Sequence, residues 1–175
     1  MEIKIKDFSP KYNQMFFFDN NIWMFLFSPI GNYEKNKQSS ISNFLRLLKT
    51  TNCDIVLNSL ILSEFSNANL RLDFNLWKNE TNNFTADYKK DYLSSTRYKD
   101  TEKLIESCIN QILKLSERFS DDFNRINIEN VLINFKTIDF NDAYYLELCR
   151  QNNWFFVSDD GDFQKINHSV TILKP

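Results

Sequence analysis

Glycine and proline are scarce in this chain: two glycines, Gly31 and Gly161, and three prolines, Pro10, Pro29 and Pro175. So few turn formers argue against a turn-rich all-β fold, and they exclude a glycine-rich phosphate loop. There is one histidine, His168, which excludes histidine-rich metal centres and leaves any Ser-His-Asp or Cys-His site to that one residue. The three cysteines, Cys53, Cys108 and Cys149, are odd in number, far apart and free of any CxxC spacing. They indicate neither a disulfide framework nor a zinc site. No apolar run approaches the ~20 residues of a membrane span, and residues 1–11 alternate in charge without an apolar leader segment. The expectation is therefore a soluble, cytoplasmic protein with no membrane partner. A formal net charge of -2 supplies no general attraction to nucleic acid. Any such binding needs a local patch or metal ions.

What is present is apolar and aromatic. Hydrophobic residues make up 42% of the 175 positions, and Phe alone occurs 17 times, enough for one domain with a substantial core. Asn, Lys, Ile and Phe are used where other proteins put Gly, Ala and Arg. That fits AT-rich coding and carries no functional weight.

Two short apolar runs end in acids. Met15-Phe16-Phe17-Phe18 is followed by Asp19, and Trp154-Phe155-Phe156-Val157 leads through Ser158 and Asp159 to Asp160. Such runs read as strands buried on both faces, as in a parallel sheet. Residues 1–14 read as an extension, with Ile3 and Ile5 on an edge strand. Residues 20–27 read as a short helix, 32–38 as a polar loop and 40–50 as a helix. Residues 54–77 read as one longer helical region carrying Glu64. Phe84, Tyr88 and Tyr92 recur every four residues, and 101–119 is amphipathic. Residues 120–140 are mixed, 142–152 reads as a helix, and 170–173 reads as a further strand. Alternating helix and strand late in the chain predicts an α/β layer fold with a short parallel sheet.

Ligands of parallel sheets sit at the carboxyl ends of the strands. Asp19 and Asp160 lie there by prediction, and right-handed crossover brings the start of the 142–152 helix, with Asp142, to the same edge. Glu64 shares a helix face with Ala68 and Arg71. Clustered carboxylates repel one another and resist burial, a cost that a divalent cation removes. With oxygen ligands only, Mg²⁺ or Mn²⁺ is expected rather than zinc, and the matching chemistry is hydrolysis of a phosphodiester. Each acid also has a plain alternative: Asp19 and Asp142 as helix caps, 159–162 as a polar turn, Glu64 as a solvated side chain.

The motifs around these acids resemble the PIN domain, the nuclease fold of VapC-type toxins and of RNA-processing enzymes. Phe16-Phe17-Phe18-Asp19-Asn20-Asn21 resembles its opening motif, Leu62-Ser63-Glu64-Phe65 its second and Asp142-Ala143 its third. Val157-Ser158-Asp159-Asp160-Gly161-Asp162-Phe163 is similar to its hydroxyl-x-Asp-x-Asp-Phe signature. The resemblance implies a PIN-like three-layer α/β/α fold with a short parallel sheet. It implies an acidic quartet of Asp19, Glu64, Asp142 and Asp160, Asp162 as an auxiliary metal ligand, and Asn21 and Ser158 as supporting hydrogen-bond donors. Asn20 stands where the family has Thr or Ser. Glu64 and Asp142 are 78 positions apart, which implies a single domain over 15–175 with a helical insertion near 79–125.

The implied activity is a metal-dependent endoribonuclease, with RNA as substrate and a protein antitoxin as partner if it is a toxin. A catalytically silent PIN-like scaffold binding RNA or protein is the alternative. A receiver-like or phosphatase domain is disfavoured, because no Lys ends a late strand run and no Thr or Ser stands two residues after Asp19. Arg71 is the expected phosphate contact. Phe84, Tyr88, Lys89, Lys90, Tyr92, Arg97, Tyr98, Lys99 and Lys103 interleave aromatics with cations, as a single-strand-binding surface does, or as an ordinary packed helix face does. Apolar area at Trp77, Phe84, Tyr88 and Tyr92 leads to the expectation of a homodimer.

Overall fold

The computed structural model describes residues 1–121 and 123–175. Six strands form one sheet: β1 (Glu2–Lys4), β2 (Met15–Phe18), β3 (Asp54–Leu57), β4 (Glu117–Arg118), β5 (Phe155–Val157) and β6 (Ile172–Lys174). Every pairing is parallel and the order is β1-β6-β5-β2-β3-β4. The helices are α1 (Asn20–Phe27), α2 (Lys35–Thr50), α3 (Ser59–Glu80), α4 (Thr96–Leu115), α5 (Ile128–Phe135) and α6 (Phe140–Asn152).

Adjacent residues of β2 show why the architecture has three layers. Phe16 packs edge-on against Phe44 of α2, whereas Phe17 meets Tyr145 of α6. Successive side chains of a strand point to opposite faces, so helices cover both sides. Phe16, Phe17 and Phe18 are all buried, as an interior parallel strand requires. α3 lies against α1 and α4, and α5 against α6. The expected parallel α/β/α fold is the one found. Ile3 lies on an edge strand, β1, paired with β6, whereas Ile5, expected on the same strand, begins a 3-10 turn after it.

Several local expectations are corrected. Residues 54–57 are strand β3, not the start of a helix. A four-residue apolar run cannot be assigned by periodicity, and the boundary rests on Asn58, whose side chain accepts from the Ile61 N–H and caps α3. Residues 35–38 belong to α2 rather than to a loop. Helix α4 starts earlier than expected, at Thr96, where Ser95 caps it through the Tyr98 N–H, and it stops at Leu115 so that 117–118 can pair with β3. The mixed 120–140 stretch contains α5.

The aromatic stripe in 84–98 is mainly packing. Tyr92 is fully buried and stacks among Phe74, Trp77, Tyr88 and Tyr98. Arg97 grips Asp73 through Nε and Nη2. Lys89, Lys90, Lys99 and Lys103 are exposed, and Phe84 is 68% exposed. Much of the area expected to pair two copies is therefore covered within one chain. No helix among the described residues is long and apolar enough to cross a membrane.

Candidate acidic site

Asp19 follows the last residue of β2 and caps α1, its N–H bonded to the Val157 carbonyl at 2.9 Å. Its carboxylate accepts from the Asn20 N–H (2.6 Å), from Asn21 Nδ2 (2.6 Å) and from Ser158 Oγ (2.6 Å). The Ser158 hydroxyl uses its one proton there and accepts from Asn21 Nδ2 (3.2 Å) and the Asp160 N–H (3.0 Å). Asn21 Oδ1 in turn accepts from the Asp159 N–H at 3.1 Å. Asn21 and Ser158 thus clamp the ends of β2 and β5 together, which positions Asp19 and the 158–162 loop relative to each other. Lys174 Nζ donates to the Asp160 carbonyl, and Asp160 Oδ1 accepts from the Asp162 N–H at 2.8 Å.

The other two acids arrive on helices. Glu64 sits in the second turn of α3, and its Oε1 accepts from Asn141 Nδ2. Asp142 lies in the first turn of α6. The cap of that helix is Asp139, which accepts from the Asn141 N–H at 2.9 Å, so Asp142 is free of that role.

The electrostatics show that these groups feel one another. Asp142 is pushed up to about 8, first by burial and then by the negative charges of Asp19, Asp160, Asp139 and Glu64. Asp19 is pushed up to about 6: burial outweighs the Ser158 and Asn20 hydrogen bonds, and Glu64 and Asp160 add repulsion. Glu64 is raised by burial, which its bond from Asn141 partly offsets. Tyr145, one turn after Asp142, is fully buried with its hydroxyl beside Glu64. Burial and the neighbouring Glu64 charge push it above the usual phenol range.

The fields of Asp19, Glu64, Asp142 and Asp160 therefore overlap at Asp142. Asp162 instead directs a carboxylate oxygen to Lys165 Nζ at 2.6 Å. Arg71 is exposed two turns along α3 from Glu64, and its charge is felt at Tyr88. Sequence reasoning missed Asn141, Tyr145 and Lys37, whose Nζ meets Asp159 Oδ2 at 2.8 Å. Asn141 carried one signal, its place directly before Asp142.

The donor chemistry suits Mg²⁺ or Mn²⁺: oxygen only, from carboxylates whose ionisation is resisted. Among the described residues, no three His, Cys, Asp or Glu side chains stand at closed coordination spacing. Asp19 Oδ2 is held by Asn21 and Ser158, and Glu64 Oε1 by Asn141. Binding a cation requires these carboxylates to turn inward.

No family model matches the sequence, and no curated protein matches it. Among solved structures the chain is similar to a chain of VapBC2 from Rickettsia felis, in a crystal structure of that complex bound to a DNA fragment from its promoter. The TM-score is 0.55 at 15% identity, covering 91% of this chain and 98% of that one. That likeness is one of fold, and the fold it supports is the PIN-like parallel α/β/α arrangement.

Proposed function

We propose that this protein is a metal-dependent ribonuclease of the PIN type, with Asp19, Glu64, Asp142 and Asp160 as the residues that hold Mg²⁺ or Mn²⁺, and Asp162 as an auxiliary ligand. The observation that carries the reading is the placement of Asp142, uncapped in the first turn of α6 and pressed on by Asp19, Asp160, Asp139 and Glu64, with no cation among the main influences on it. A fold has no structural use for such an arrangement, because it destabilises the chain that contains it. Bound metal would supply a water of lowered pKa and neutralise charge on the phosphate oxygens. Asn21 and Ser158 orient Asp19, and Asn141 holds Glu64 until it is needed. A bound cation would favour the ionised form of Asp142, which burial and the surrounding acids otherwise resist.

The VapBC2 neighbour is a complex, which supports a protein antitoxin as partner. The proposal also includes the expected homodimer, for which Phe84, 68% exposed, is the most open part of the area around Trp77, Tyr88 and Tyr92; light scattering that returns a monomer at high concentration removes it. A second reading, a catalytically silent scaffold, draws on the lack of closed metal spacing among the described residues.

Cleavage of single-stranded RNA by the purified chain, with Mg²⁺ or Mn²⁺ against EDTA, separates the two readings. Asp160→Asn is expected to abolish cleavage while leaving the metal-free melting temperature unchanged or higher. Undiminished cleavage removes Asp160 from the site, and a wild-type chain inert with either metal favours the scaffold.

A further inference from the structure

A site built from four acids repels the polyanion it is proposed to cut, so a cation is needed where the strand approaches. We infer that Lys37 is that group: a phosphate-binding side chain held at the rim of the acidic site by Asp159 and transferred to the RNA backbone when substrate arrives. The inference rests on the nuclease reading and names the contact that this reading lacks.

Lys37 lies in the first turn of α2, which is tied to α1 by Gln38 Nε2 donating to the Phe25 carbonyl at 3.1 Å. Its ammonium lies 5.8 Å from the Phe25 ring centroid and 2.8 Å from Asp159 Oδ2. Asp159 stands between Ser158, which donates to Asp19, and Asp160. Its own N–H is bonded to Asn21. The ammonium is therefore fixed to the loop that carries the site.

Two other lysines reach this loop. Lys174 donates to the Asp160 carbonyl, lies 3.6 Å from Glu2 and is only 16% exposed, so it is a pin for the loop. Lys165 pairs with Asp162 three residues away on its own segment, a pair more open still, but it joins no second element to the loop, whereas Lys37 reaches it from α2. Lys37 is 38% exposed and its partner 26%. An ion pair this open contributes little to stability, so a phosphate, with more charge and more acceptor oxygens than Asp159, can displace it. Arg71 is a poorer candidate because it sits two turns from Glu64, beside Tyr88.

The test is steady-state cleavage of a single-stranded RNA oligonucleotide with Mn²⁺, over a range of salt concentrations, by wild type, Lys37→Gln, Lys37→Arg and Asp159→Asn. Lys37→Gln is expected to raise KM about fivefold, with a much smaller change in kcat, and to make the logarithmic salt dependence shallower by about 0.7. Lys37→Arg should restore KM. Asp159→Asn should lower KM, because it releases the ammonium. A structural pair behaves otherwise: Lys37→Gln and Asp159→Asn would both lower the melting temperature, and neither would lower KM. That outcome, or a wild-type KM and salt slope in Lys37→Gln, overturns the inference while an active wild type leaves the nuclease reading in place. A wild type that cleaves no RNA overturns the nuclease reading and this inference with it.

Discussion

Asp19 and Asp73 are both almost inaccessible, 6% and 1% exposed, though Asp19 lies deeper in the fold, and their protons are held in opposite ways. Burial alone would raise both. At Asp73 it is overcome by Arg97, whose Nε and Nη2 approach Oδ1 at 2.8 and 2.5 Å, and by the hydroxyls of Thr101 and Tyr92, each at 2.7 Å from Oδ2, so this acid is lowered. At Asp19 the donors are neutral and the nearby charges are negative, so burial prevails and the acid is pushed up to about 6. Glu147 repeats the Asp73 pattern, with Arg150 at 2.7 Å through both Nε and Nη2. A buried carboxylate with a cation in a forked geometry is a fastener. One surrounded by like charge is strained, and the strain marks the candidate site.

The largest expected effect tests the fastener. Asp73→Ala leaves Arg97, Thr101 and the buried Tyr92 hydroxyl without their acceptor, and should destabilise the fold by about 3 kcal/mol. The melting temperature should fall by roughly 6–12 °C, which calorimetry checks. A neutral result would dissolve the comparison.

At the other acidic region the sign should reverse. Asp142→Asn removes a group whose ionisation the site resists, so the metal-free melting temperature should hold near neutral pH and rise relative to wild type above about pH 8, while cleavage falls by roughly 100-fold. Calorimetry and an RNA-cleavage assay on one preparation read both. A melting-temperature loss like that of Asp73→Ala would make Asp142 structural.

The pH dependence sharpens the contrast. Asp19 and Asp142 are raised above their unfolded values, so the folded chain binds more protons than the unfolded one. Their stabilising contribution is complete below the ordinary carboxylate range and is lost as pH rises through about 6 and then about 8. Asp73 is lowered, so its contribution is present above the ordinary range and lost on acidification. Melting curves without metal should decline from about pH 4 to about pH 8, and Asp142→Asn should flatten that decline. Added Mn²⁺ should restore the loss in wild type and far less in the variant. An equal decline in both chains would detach the titration from Asp142.

The smallest effect is expected at Arg71, which belongs to neither region. Arg71→Gln should change stability by less than about 0.5 kcal/mol and leave KM for RNA within about twofold. A larger rise in KM would return the phosphate contact to α3 and away from Lys37.

Strands β2 and β5 were legible because each is an apolar run closed by acids within a few residues, a pattern that needs no partner to be recognised. Helix α6 was legible in outline from Ala143, Leu146 and Leu148, although burial of every residue from 143 to 149 leaves it no single apolar face. β3 was not, because Asp54–Leu57 runs into an apolar helix with only Asn58 between them, and four residues carry no readable period. β4 was not, because its two residues are a strand only through pairing with β3. The interleaved aromatics and cations of 84–103 admitted two readings, and the buried Tyr92 and the Arg97–Asp73 fork decided for packing.

By itself the amino-acid sequence determined the parallel α/β class and pointed to four acids as candidates, since strand ends and helix starts, where Asp19 and Asp142 stand, are local properties of hydrophobic patterning. Tertiary structure decided which charges press on Asp142, that Asn141 holds Glu64 across 77 positions, and that Lys37 meets Asp159 across 122. It also decided that Asp73 is quiet while Asp19 is strained. An ionisable group takes its energy from burial and from neighbours that the chain brings together only on folding, and no local pattern encodes that.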